Sequence, residues 1–134
     1  MEIKVTTQNS RVPVTIIHID GNLDSSSFTK FQKTAEELIQ NGSRHILVDL
    51  EHSPYVSSAG FRVLSQIFKE LNAIHPDTNL SENEMKQGII DGSYKPPYLK
   101  LANLSADTKA VFVTTGFDMY IEEYDDLKTA IASF

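Results

Sequence analysis

Residues 45–71 read HILVDLEHSPYVSSAGFRVLSQIFKEL, and the other elements of the chain are arranged around this segment. Residues 46–50 form a short, largely apolar run, which is typical of a strand buried on both faces. Pro54 then interrupts any continuous helix or strand ladder. From Phe61 onward apolar residues recur at spacings of three and four, so the sequence predicts a helix from about residue 58 to 75 with one wide apolar face.

Two serines stand where the predicted strand gives way to the predicted helix. The first turn of a helix has unpaired backbone N–H groups and the positive end of the helix dipole, and both favour an anion. Two interpretations of Ser57 and Ser58 are therefore open. In the first, the serines cap the helix, because serine is a preferred N-cap residue. In the second, one of the two hydroxyls accepts a phosphate, which the start of a helix can accommodate.

Composition narrows the classes of function. The chain of 134 residues suits one domain with one core, and it has no cysteine for a disulfide or a thiolate metal site. We see neither a membrane-spanning apolar run nor a signal peptide, so we expect a cytoplasmic protein. The formal net charge of −6, without a cluster of Lys and Arg, argues against direct binding of nucleic acid.

The sequence lacks the motifs on which catalysis depends. Glycine-rich phosphate loops, HExxH, CxxC and GxSxG are all missing. The acidic pairs at 36–37, 122–123 and 125–126 are adjacent in sequence, so their side chains point apart and are expected to be solvated charges. We therefore expect no catalysis, no cofactor and no metal.

Alternating strands and helices predict an α/β fold. In chain order we predict strands at 2–7 and 12–20, a helix at 28–41 capped within Ser25–Ser27, the central strand and helix, a strand at 98–102, a helix at 106–114 capped by Ser105, a strand at 119–121 and a last helix capped by Asp125. This order indicates a mixed sheet of four to five strands, with the strands at 45–50 and 98–102 central and four main helices packed mostly on one face. His18, without a second histidine at ligand spacing, is interpreted as a structural strand residue.

Residues 76–97 are the least core-like part of the chain, since glycine, proline and polar residues punctuate them. We interpret them as a surface insertion in a single domain that spans residues 1–134. Ser81 and Glu84 stand at capping-box spacing, so a short helix over about 82–90 is predicted as an option.

The element order and four local motifs resemble the STAS domain, the fold of bacterial anti-sigma factor antagonists. The matching motifs are Gly21-Asn22-Leu23-Asp24 for the family's G-x-L-D break, residues 44–50 for its central strand, residues 55–61 for its D-S-[ST]-G-L signature, and residues 104–109 with 115–117 for its third helix and terminal glycine. The family's Asp before the acceptor serine is here Ser57, and its second Ser or Thr is Ala59.

The resemblance implies a phosphorylation-controlled partner switch that regulates transcription. In such family members an anti-sigma factor with serine kinase activity phosphorylates the signature serine, and a PP2C-type phosphatase restores it. The unphosphorylated form binds the anti-sigma factor and so frees the sigma factor. Alignment on Gly60 implies that Ser58 is the acceptor, with Ser57 as second candidate, and that Asp24, Ser57, Ser58, Ala59 and Gly60 contact the partner.

Two other functions remain open. One is a ligand- or nucleotide-sensing STAS module with a pocket lined by the 76–97 insertion. The other is a non-switching subunit of a larger assembly, such as a lipid-transport complex, in which Ser58 is only a helix cap.

Overall fold

The computed structural model of the protein describes residues 1–74 and 97–134. Its strands are β1 (Glu2–Asn9), β2 (Pro13–Asp20), β3 (Ile46–His52), β4 (Leu99–Ala102) and β5 (Glu122–Tyr124). Its helices are α1 (Phe28–Gln40), α2 (Ser58–Ala73), α3 (Ala106–Thr114) and α4 (Leu127–Ala132), with a short 3-10 helix at Phe117–Met119. In these described residues no helix is long and apolar enough to cross a membrane.

The five strands form one mixed sheet in the order β1-β2-β3-β4-β5. β1 and β2 pair antiparallel, as expected of a hairpin, and β2, β3, β4 and β5 pair parallel. The prediction that β3 is central is confirmed, and all residues from Ile46 to Leu50 are buried. The predicted mixed α/β sheet is confirmed with five strands.

The two faces of the sheet carry different helices. Side chains of α1, α2 and α3, among them Phe31, Leu64 and Phe112, belong to one large core cluster with β3 residues such as Val48. The opposite face is covered by α4, whose Ala130 packs in a smaller cluster with Val14, Ile16 and Leu47 of the sheet. The prediction of helices mostly on one face is therefore confirmed, with α4 as the exception.

Two predictions near the C-terminus are wrong by a few residues. The strand predicted at 119–121 is β5 at Glu122–Tyr124, because hydrogen bonds to the Phe117 carbonyl hold Tyr120 and Ile121 in a turn. The last helix is capped by Asp126 rather than Asp125, since the Asp126 carboxylate accepts a 2.7 Å hydrogen bond from the Thr129 N–H.

The serine cap predicted for α1 is also absent. Ser27 occupies the N-cap position without a side-chain capping bond, because its backbone (ψ −12°) is not extended as in a usual N-cap. Its hydroxyl donates to the Asn22 carbonyl (2.7 Å) and accepts from the Asp24 N–H (3.0 Å). By contrast, Ser105 caps α3 as predicted. The predicted helix at 82–90 and nearly all of the insertion lie outside the described residues.

Candidate functional site

Two loops meet beyond the carboxyl ends of β2 and β3. Leu23 and Val56 form an isolated parallel bridge. The Leu23 N–H donates to the Tyr55 carbonyl (3.0 Å), and the Ser57 N–H donates to the Leu23 carbonyl (2.9 Å). The bridge places the loop that contains Asp24 beside the loop that leads into α2, so the structure brings the predicted site residues to one edge of the sheet.

Gly60 lies where this contact is tightest. A Cβ atom at residue 60 would lie 2.8 Å from Val56 Cγ1 and 2.9 Å from the Leu23 carbonyl oxygen. Real Cβ atoms essentially never approach other atoms so closely. The glycine of the predicted signature therefore allows α2 to pack against the Leu23–Val56 bridge.

The structure separates the two candidate serines. Ser57 is the N-cap of α2, and its hydroxyl accepts a hydrogen bond from the Gly60 N–H (3.3 Å). Ser58 is the first residue of α2 and is exposed. Among the described residues its side chain has no hydrogen-bonding partner, so capping does not occupy it.

Asp24 is engaged within its own loop. Its Oδ1 accepts hydrogen bonds from the Ser26 hydroxyl (2.6 Å) and the Ser26 N–H (2.9 Å). These bonds, with further ones from Ser27, hold the pKa of the Asp24 carboxyl below its ordinary value. Asp24 therefore places a fixed negative charge in the loop that lies beside Ser57.

Comparison with known families identifies the domain. The model of the STAS domain family matches residues 3–80, which is more than half of the chain. The protein belongs to the STAS domain family. No curated protein sequence matches the chain.

Several solved structures share the fold of this STAS protein. It is similar to a candidate anti-sigma factor antagonist from Thermotoga maritima, with a TM-score of 0.72 and 16% identity over 96% of this chain and 91% of that chain. It is similar to the anti-sigma factor antagonist SpoIIAA in its unphosphorylated form, with a TM-score of 0.61 and 15% identity over 96% and 92% of the two chains. For the phosphorylated form of the Bacillus cell fate determinant SpoIIAA the TM-score is 0.64, with 16% identity over 97% and 96%.

The STAS protein also has a polar network that the sequence analysis missed. On β3, Asp49 is 4% exposed, and its Oδ2 lies 2.7 Å from His18 Nδ1 of β2. Its Oδ1 accepts a hydrogen bond from Asn103 Nδ2 (3.0 Å), and Thr6 Oγ1 lies 2.9 Å from His18 Nε2. A carboxylate inside an otherwise apolar buried strand was the available signal, since buried charges require partners.

This network borders an open cleft of about 470 Å³ on the side of the sheet that carries α4. The cleft is lined mainly by charged and histidine side chains, with Glu2, Lys4, Asp20 and Glu51 among them. In the part of the chain that is described, no group of three or more His, Asp or Glu side chains could hold a metal ion.

Proposed function

We propose that this STAS protein is an anti-sigma factor antagonist that acts by binding, without catalysis of its own. In this proposal an anti-sigma factor with serine kinase activity phosphorylates Ser58, and a PP2C-type phosphatase removes the phosphate. The unphosphorylated form binds the anti-sigma factor. Membership of the STAS family and similarity to SpoIIAA, solved in phosphorylated and unphosphorylated forms, support the proposal.

The observation that carries the proposal is that only one of the two serines caps α2. Ser57 caps α2, which leaves the exposed Ser58 hydroxyl available to a kinase. A phosphate at the first residue of α2 would lie at the positive end of the helix dipole, which stabilises an exposed anion by about 0.3–1 kcal/mol. Phosphorylation is therefore expected to leave the fold intact.

Replacement of the family's Asp by Ser57 is compatible with this role. Aspartate and serine are about equally good N-cap residues, because each offers a side-chain oxygen to the backbone N–H groups of the first turn. A neutral serine beside the acceptor also removes one source of like-charge repulsion toward the phosphate. The substitution thus preserves the cap and lowers the electrostatic cost of modifying Ser58.

The phosphate is expected to weaken binding of the partner. It adds about −1.5 to −2 charges to a surface formed by Asp24, Ser57, Ser58 and Ala59. Gly60, which was also predicted to contact the partner, is buried against the Leu23–Val56 bridge and is not part of this surface. Against an acidic, nucleotide-loaded partner site, repulsion and desolvation oppose binding, and every ~1.4 kcal/mol changes the affinity tenfold. The fixed negative charge of Asp24 adds to this field.

Affinity capture from the native host tests the proposal. Tagged wild-type protein should retain an anti-sigma factor with kinase activity, and peptide mass spectrometry should place phosphate on Ser58. The Ser58→Ala variant should retain the same partner without phosphate, whereas Ser57→Ala should still be phosphorylated.

Other results would identify the alternatives. Phosphate on Ser57 alone would show that Ser57, rather than Ser58, is the residue that the kinase phosphorylates. Capture of transport subunits, with no phosphate on either serine, would favour a non-switching subunit. A small molecule that stays bound to the purified protein, again without phosphate, would favour a ligand-sensing module.

A further inference from the structure

The loop before Ser58 is hydrogen-bonded to the start of α3 as well as to Leu23. The Ser105 hydroxyl donates a 2.8 Å hydrogen bond to the Pro54 carbonyl oxygen. The Thr108 hydroxyl lies 3.3 Å from the same oxygen. Because Pro54 has no backbone N–H, its carbonyl is the only backbone hydrogen-bonding group at this position, and α3 provides its partners.

Together the two sides fix a short backbone segment. Leu23 bonds the backbone of Tyr55 and Ser57, at 3.0 and 2.9 Å. Ser105, the N-cap of α3, donates a hydrogen bond to the carbonyl of Pro54. Residues 54–57 therefore have backbone bonds to two separate elements, and this segment leads directly into the exposed Ser58.

The Ser105 hydroxyl has two roles at once. Its oxygen caps α3 by accepting a hydrogen bond from the Thr108 N–H (3.1 Å). Its proton faces the Pro54 carbonyl oxygen (2.8 Å) and, slightly farther away, Thr108 Oγ1 (2.9 Å). A hydroxyl can do both because it has one donor and two acceptor lone pairs. The two roles can consequently be separated by substitution.

The turn that presents Ser105 is itself anchored. Asn103 has a φ of 62°, in the left-handed region that asparagine tolerates better than most residues. Its backbone N–H donates to the Tyr124 carbonyl (3.0 Å), and its side chain donates to Asp49 of β3 (3.0 Å). Ser105 is thus presented to Pro54 from a turn that is tied to two strands of the sheet.

We propose that Ser105 is a positioning residue for the phosphoacceptor loop. Its hydrogen bond to Pro54 fixes residues 54–57, and so the way in which Ser58 is presented to a kinase. The consequence for phosphorylation rests on the function proposed above, whereas the positioning of the loop does not. A loop already held in one conformation spares the partner the entropic cost of ordering it on binding.

Three substitutions separate the cap from the bond to Pro54. Ser105→Thr keeps the hydroxyl and so both roles. Ser105→Ala removes both. Ser105→Asp keeps a good N-cap oxygen for α3 but, when ionised, has no proton to donate to Pro54 and repels its carbonyl oxygen. Thr108→Val tests the weaker second donor with the Ser105 cap intact.

Hydrogen–deuterium exchange of the purified protein provides the first test. In Ser105→Asp, peptides that cover residues 53–60 should exchange about three- to tenfold faster than in wild type, as expected for loss of one hydrogen bond. Peptides from α3 should keep wild-type protection, and Ser105→Thr should match wild type throughout. Unchanged exchange at 53–60 in Ser105→Asp would overturn the proposal, even if Ser105→Ala is too unstable to measure.

Phosphate occupancy on Ser58 in the native host provides the second test. We expect lower occupancy in Ser105→Asp, with restoration in Ser105→Thr. Faster exchange at 53–60 with wild-type occupancy would refute a role of the bond in phosphorylation. Absence of phosphate on Ser58 in wild type would count against the proposed switch, and the exchange data would still decide whether Ser105 positions the loop.

Discussion

Gly60→Ala should destabilise the protein. The new methyl group would lie 2.8 Å from Val56 Cγ1 and 2.9 Å from the Leu23 carbonyl oxygen. Overpacking of this kind costs about 1–3 kcal/mol, although alanine would by itself favour a helix by about 1 kcal/mol. Urea unfolding should show a lower free energy of unfolding. Equal or greater stability than wild type would show that α2 can shift away from the Leu23–Val56 bridge.

The two serines should respond differently to alanine. Ser57→Ala removes the N-cap of α2 and should lower the free energy of unfolding by about 0.5–2 kcal/mol. Ser58→Ala, at an exposed position without a capping bond, should change it by less than about 0.5 kcal/mol. Thermal unfolding of the two variants side by side measures the difference. A larger loss for Ser58→Ala would mean that Ser58 is the cap.

The sequence indicated that Ser57 and Ser58 stand at the start of α2, but not which of them caps the helix. Either hydroxyl has the right chemistry, and the choice depends on the backbone angles of Ser57, which is extended, and of Ser58, which is helical. The partners of the buried Asp49 carboxylate were unpredictable for a similar reason, because His18 and Asn103 are distant from it in sequence.

Asp49 links several elements, since its bonds join β3 to β2 and to the turn between β4 and α3. Burial raises its pKa, but hydrogen bonds from Asn103, His18 and the Glu51 N–H outweigh this, so the pKa of Asp49 lies below the ordinary value for aspartate. A carboxyl whose pKa is lowered by folding stabilises the native state above its unfolded pKa. That stabilisation is lost as the pH falls through the lower folded pKa.

Asp49→Asn should therefore have two effects. At pH 7 it should lower the free energy of unfolding by about 1–3 kcal/mol, because an amide cannot accept from all the donors that the carboxylate satisfies. Its stability should also depend less steeply on pH than that of wild type below the unfolded pKa of 3.8. Urea unfolding at a series of pH values measures both. Parallel pH profiles for the two proteins would contradict the assigned role.

Among the elements, β3 and α2 were predictable because one is a nearly unbroken apolar run and the other has a strong helical period. The strand after α3 was misplaced because Met119, Tyr120 and Ile121 look like a strand in composition. In the structure Tyr120 and Ile121 contribute to the main core from a turn, whereas the partly buried Glu122–Tyr124 segment pairs with β4. The choice depends on register against β4, which local composition does not encode.

For the whole molecule, deletion of residues 80–95 should leave a folded protein. The described residues, which exclude this segment, already form the five-stranded sheet and both core clusters. Glycine and polar residues dominate the deleted segment, so little apolar surface should be lost with it. Denaturant unfolding should remain cooperative. A broad, non-cooperative transition would show that the segment contributes to the core.

In the proposed switch, phosphate on Ser58 controls partner binding. The most direct measurement compares the dissociation constant of the captured anti-sigma factor for the unmodified protein and for protein with phosphoserine incorporated at residue 58. We expect the phosphorylated form to bind at least tenfold more weakly, a difference of about 1.4 kcal/mol, while both forms unfold at similar temperatures. Equal dissociation constants for the two forms would contradict it.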